Sequence, residues 1–144
     1  MSLKEISPLI ALDVGIGRIG IAIFREDSIF VTPLGTITRD GTEYKKIMNI
    51  IEEEKVKTIV VGLPKTLKGE IGPQAEKVLK FIESLKGFVE GVEIVKWDER
   101  FTSVIAHRIF KARGYNTKEE RKVKDSLEAE LILESYINYI RRKG

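Results

Sequence analysis

Three acidic sites in this 144-residue chain sit where ordinary surface carboxylates do not. Asp13 follows the apolar run Leu9-Ile10-Ala11-Leu12, which reads as a strand buried on both faces, and an acid there cannot ionise cheaply without a partner. Asp98 and Glu99 close a second β-like run, Val92 to Trp97, and Asp125 opens the last amphipathic stretch. In open α/β sheets the functional crevice lies outside the carboxyl ends of the strands, so Asp13 and the Asp98-Glu99 pair would reach the same edge. Carboxylates gathered there repel one another unless a hard divalent cation joins them, and Mg²⁺ or Mn²⁺ suits oxygen ligands. Two such ions roughly 4 Å apart can activate a water and stabilise the leaving oxygen of a phosphodiester.

Each acid also has a plainer reading. Asp98 can pair with Arg100, and Asp13 can stay neutral or pair with Arg18. Asp125-Ser126-Leu127-Glu128 has the form of a helix N-cap with an acid at the third position. His107 reads as a surface histidine and Trp97 as core. The segment Gly62 to Gly72 lacks the spacing and the Gly-Lys-Thr ending of a phosphate-binding P-loop, although the helix N-terminus after Gly72 could meet a backbone phosphate. Between residues 108 and 124 seven basic groups (Arg108, Lys111, Arg113, Lys118, Arg121, Lys122 and Lys124) face only Glu119 and Glu120, a local +5 in a chain whose net charge is +3. Such a run would hold phosphates without reading sequence, or form a solvated face.

The elements that must position these groups follow from periodicity. Leu9–Val14 and Ile19–Phe24 flank the turn-formers Gly15-Ile16-Gly17-Arg18 and predict a hairpin. Ser28–Ile37 predicts a third strand, placed at a sheet edge by Pro33. Tyr44, Ile47, Met48 and Ile51 recur at helical spacing within 42–55, and Thr58–Gly62 reads as a buried strand parallel to the first. A loop from Leu63 to Pro73 leads to a helix from Gln74 to near Gly87, then to the fifth strand at Val92–Trp97. Val104, Ile105, Arg108 and Ile109 suggest a short helix ending at Gly114. Tyr115–Lys124 is polar and reads as a mobile loop, and Leu127–Arg142 as a long amphipathic helix. The fold class is α/β, a mixed five-stranded sheet with helices on both faces, in one domain spanning 1–144. The absence of cysteine excludes disulfides and thiolate metal sites. No apolar segment reaches the roughly 20 residues of a membrane span, and the start lacks a signal-peptide pattern, so the expected location is cytoplasmic, with no membrane partner.

Four blocks carry a resemblance to a known family. Ala11-Leu12-Asp13-Val14-Gly15-Ile16-Gly17-Arg18-Ile19-Gly20-Ile21-Ala22 resembles the opening signature of the YqgF, or RuvX, family. Val60-Val61-Gly62-Leu63-Pro64 with Gly69, Asp98-Glu99-Arg100-Phe101-Thr102-Ser103, and Lys124-Asp125-Ser126 with the helix beyond resemble its later blocks, in order across nearly the whole chain. The resemblance implies a ribonuclease H-like fold and a metal-dependent nuclease, either maturing the 5′ end of pre-16S ribosomal RNA or resolving Holliday junctions, in the bacterial cytoplasm. It implies Asp13, Glu99 and Asp125 as catalytic acids, with Asp98 adjoining them as a metal ligand. Strand alternation alone leaves Asp98 and Glu99 open, because they face opposite sides. Arg18 and Arg100 within the motifs, with Lys122 and Lys124 beside them, are the expected nucleic-acid contacts. Glu128 departs from the family's small residues and would share a helix face with Asp125, either as a fourth carboxylate or as a cap. The expected partner is pre-rRNA or branched DNA, and the expected state a monomer or weak homodimer. Competing readings are a nucleic-acid-binding module with vestigial acids and a phosphotransferase of the sugar-kinase and actin type, for which one domain of this length is too little.

Overall fold

The structure, a computed structural model, describes residues 2–102 and 118–143, with backbone alone for 118–123. After a four-residue helix α1 (Leu3–Ile6), strands β1 (Leu9–Val14) and β2 (Arg18–Phe24) form the expected hairpin, paired from Leu9↔Phe24 to Val14↔Ile19. Strand β3 (Thr32–Thr38) follows on the outer side of β2, then helix α2 (Glu43–Glu54), β4 (Thr58–Leu63), α3 (Pro73–Lys86) and β5 (Glu93–Asp98). A 3-10 turn (Glu99–Phe101) and a long helix α4 (Lys118–Lys143) complete the described chain. The sheet order is β3-β2-β1-β4-β5, with β1, β4 and β5 parallel and β2 and β3 antiparallel to their neighbours. Pro33 lies on an edge strand, where its missing N–H costs no ladder bond on the open side.

Strand alternation divides the core between the two faces. Ile10, Leu12, Ile19, Ile21, Ile59 and Val61 pack with Ile47 of α2 and with Val78, Phe81, Ile82 and Leu85 of α3. Leu9, Ala11, Ala22, Phe24 and Val60 pack with Ala129, Ile132, Leu133, Tyr136, Ile137 and Ile140 of α4. Burying each large side chain of that α4 stripe stabilises by about 1.5–3 kcal/mol, which is what allows the helix to carry acids at its other end.

Three sequence expectations change. The third strand starts at Thr32 rather than Ser28, because the Ser28 hydroxyl takes the Phe30 N–H at 3.1 Å and donates to the Phe30 carbonyl at 2.8 Å, closing a local turn. The described part of the expected loop, 118–124, is helical, so α4 extends at least nine residues before Leu127 and Asp125 is no N-cap, while 115–117 lie outside the described residues. Glu, Lys and Arg are strong helix formers and need no apolar stripe to extend a docked helix. Helix α1 has no counterpart among the expectations. The proposed short helix at 104–109 lies outside the described residues.

Candidate metal centre

Asp13 is on the α4 face of β1, by the same alternation that buries Leu9 and Ala11 there. Its antiparallel partner is Gly20, and a Cβ at Gly20 would collide with the Asp125 carbonyl. The missing side chain lets the α4 backbone lie directly on the sheet beside Asp13. Helix position is further fixed by a bulge: Ile21 pairs with Gly35 but Ala22 pairs with Pro33, leaving Leu34 extra. Ser126 fills the gap, its hydroxyl accepting from the Gly35 N–H at 3.0 Å and donating to the Ile21 carbonyl at 3.4 Å. The buried serine therefore anchors the helix one residue after Asp125.

Glu128 is one turn along α4, and Asp13, Asp125 and Glu128 bring carboxylate oxygens within 4.8 Å of one another. Glu99 reaches the same place from the end of β5 and lines, with Asp13, Thr102, Glu128 and Ile132, a small pocket of about 70 Å³. It fits because β4 has no side chain at Gly62, where a Cβ would be 2.6 Å from both Glu99 Oε1 and Ile132 Cδ1. Asp98 goes the other way. It accepts from the Arg100 backbone N–H at 2.9 Å and holds the Arg100 guanidinium in a 2.6 Å ion pair, which draws its carboxyl below the usual range.

The electrostatics separate the inner acids from this outer pair. Burial, then hydrogen bonding and charge repulsion from Glu128, then Glu99 and Asp125, raise the Asp13 carboxyl well above its ordinary value. Burial, with Glu128 and Asp98 adding repulsion, pushes Glu99 up to about 7. At the spacing of these oxygens an ionised pair repels by about 3–4 kcal/mol at an effective dielectric near 20, so without a counter-charge the cluster retains protons. An all-oxygen, anionic donor set under such strain fits a hard divalent cation.

The basic residues expected to meet nucleic acid are mostly engaged with acids. Arg18 Nε donates to Asp125 Oδ2 at 2.9 Å, Arg100 holds Asp98, and Lys124 Nζ is 3.5 Å from Glu128 Oε1. The Lys122 side chain is outside the described set. Two cations not singled out from sequence, Arg39 and Lys77, line a cleft of about 580 Å³ that opens onto Asp13 and Glu99, with Glu43, which pairs with Arg39 at 3.4 Å, and with Ile16, Pro64 and Gln74. Arg39 braces the β1–β2 turn, its guanidinium donating to the Gly15 carbonyl at 2.9 Å and its backbone N–H to Gly17 at 2.9 Å. Neither has a signal in the sequence, since one follows a strand and the other sits on a charged helix face.

Residues 7–139 match the family described as "RuvX: Holliday junction resolvase". The chain belongs to the RuvX family. A relative in Desulforudis audaxviator (strain MP104C), named "Putative pre-16S rRNA nuclease", is 39% identical over 132 residues, covering 90% of this chain and 93% of the relative. A Fusobacterium nucleatum relative of the same name is 44% identical over 131 residues, covering 90% and 95%. Among solved structures, that of Thermus thermophilus RuvC superposes with a TM-score of 0.52 at 12% identity, over 91% of this chain and 95% of that one, a likeness of fold. The RuvX chain thus has the ribonuclease H-like sheet, and its acids meet at the carboxyl edge of the parallel strands. Among its described residues no helix is long and apolar enough to cross a membrane.

Proposed function

We propose that this RuvX-family chain is a metal-dependent endonuclease of structured nucleic acid, with the 5′ end of pre-16S rRNA as its substrate. The observation that carries the reading is the convergence of Asp13, Asp125 and Glu128, with Glu99 beside them, at the open end of the sheet. These four carboxylates would hold Mg²⁺ or Mn²⁺, and Asp98 would act through Arg100 rather than as a ligand. When bound, the divalent ions supply charge stabilisation to the attacking and leaving oxygens of the phosphodiester.

The chain's own groups do the positioning. Arg18 orients the Asp125 carboxylate through Nε, and Ser126 holds the helix turn that carries it. Lys77 gives the cleft beside the acids a cation on which a phosphate can lie, while Arg39, paired with Glu43, braces the turn at Gly15, and Ile16 there is 84% exposed and free of the protein core. Lys124, 3.5 Å from Glu128, adds a cation beside the acids on α4.

The relatives' name supports the rRNA substrate, and the family's description supports a second reading, a DNA four-way junction. Side-by-side cleavage of a pre-16S 5′-leader transcript and a four-way junction in Mg²⁺, with Asp13→Asn as the blank, decides between them. Cleavage of the transcript alone supports the proposal. A junction cut symmetrically would require a two-fold dimer rather than a monomer or weak homodimer, which sedimentation would detect.

A further inference from the structure

The 3-10 turn after β5 displays three consecutive residues about 120° apart. Glu99 points into the acid pocket, Arg100 to Asp98, and Phe101 out to a different surface. There Phe101, Trp97 and Tyr139 line a groove of about 630 Å³ with Ser135, Arg142 and Lys143, a size typical of ligand clefts. Phe101 is 62% exposed, unusual for a phenylalanine. Its ring meets Trp97 edge-on at 5.5 Å, and Trp97 lies 5.1 Å from Tyr139. The rings are held in place: Trp97 Nε1 donates to the Ser135 hydroxyl at 3.1 Å, which donates to the Phe101 carbonyl at 3.0 Å. Lys143 Nζ stands 5.0 Å over the Tyr139 ring. Glu134 borders an adjoining recess shared with Phe101 and Arg142, and the groove itself carries only cations among its described charged residues.

We propose that this groove stacks unpaired bases of a single nucleic-acid strand while Arg142 and Lys143 hold its phosphates. The proposal rests on the nuclease reading above and adds a second contact point, tied to the acids by one turn of chain. Rings with cations at their rim match a base and its phosphate, and stacking needs no particular sequence. RNA and DNA strands share this chemistry.

Trp97 is the only tryptophan, so its fluorescence reports on the groove directly. Full-length Asp13→Asn protein is titrated with short oligouridylate, oligothymidylate and a blunt duplex, with oligonucleotide anisotropy giving affinities. Single strands are expected to quench Trp97 and the duplex not to. Phe101→Ala and Tyr139→Ala, each with unchanged circular dichroism, should weaken single-strand binding about tenfold. The two oligomers rank RNA against DNA. Absence of quenching, or binding indifferent to both substitutions, overturns the proposal. So does a change in Trp97 emission with protein concentration alone, accompanied by dimers in sedimentation, which would make the groove an interface between copies. Failure of the nuclease reading is seen separately, as intact substrate with wild-type protein and Mn²⁺ while quenching persists.

Discussion

Asp98 and Glu99 are neighbours in sequence with opposite electrostatic fates. Asp98 turns to a guanidinium it meets two residues later, and its carboxyl is held low. Glu99 turns to Asp13 and Glu128 beside α4, and its carboxyl rises to about 7. One residue of strand parity thus separates an ion pair satisfied within the protein from a carboxylate left in want of a cation. An acid with its own arginine would gain little from a metal, whereas the inner cluster would be stabilised by one.

The widest test of this contrast is in activity. Asp13→Asn should lower Mg²⁺-dependent cleavage by more than the roughly 100-fold that loss of an outer-shell partner costs, while Asp98→Asn should stay within that range, measured as single-turnover rates. Equal losses would erase the distinction. Glu128→Gln sharpens it: Mn²⁺ affinity by calorimetry should fall about 10- to 100-fold, yet the metal-free variant should melt above wild type at pH 8 because one repelling charge is gone.

A pH scan compares the two acids in stability. The folded state keeps a proton on Glu99 that the unfolded chain releases near 4.5, so this contribution is fully present below about 4.5 and is lost as pH climbs through about 7. It amounts to at most about 3 kcal/mol, and Asp13 acts in the same direction. Metal-free protein should therefore melt lower at pH 8 than at pH 5, Mn²⁺ should flatten the decline, and Glu99→Gln should reduce it. The low Asp98 carboxyl has the opposite sign, with stability lost only as pH falls through its folded value. The smallest contrast lies in two glycines. Gly62→Ala presses on Glu99 and Ile132 and should cost about 1–3 kcal/mol with a drop in Mn²⁺ affinity. Gly69→Ala, at φ 84° beside Arg100, should cost about 1 kcal/mol and leave metal binding unchanged, as thermal melts and calorimetry would show.

What could be read in advance was whatever periodicity or a breaker residue encodes locally. The β1–β2 hairpin, the edge position of β3 from Pro33, and the parallel pairing of β4 with β1 all follow from short patterns. The choice between Asp98 and Glu99 is not local. It depends on the register that sets Leu63 against Asp98 and Gly62 against Trp97, which places Glu99 on the same side as Asp13. The first turns of α4 read as loop because Val123 is their one apolar residue and only backbone propensity marks them as helix. Glu128 was visible as a face-sharing acid, but its approach to Asp13 depends on Gly20 letting the helix sit so close. Arg39 and Lys77 had no pattern at all, since only the packing of α2 and α3 against the sheet brings them to the cleft.

Helix α4 packs across β1, β2 and β4 on one face of the sheet and also delivers Asp125 and Glu128. Synthesis proceeds from the amino terminus, so a nascent chain can lay down all five strands and still lack half of its carboxylates. Cutting power and completion of the fold then arrive together, and a molecule whose last helix has peeled away is disarmed as well as destabilised.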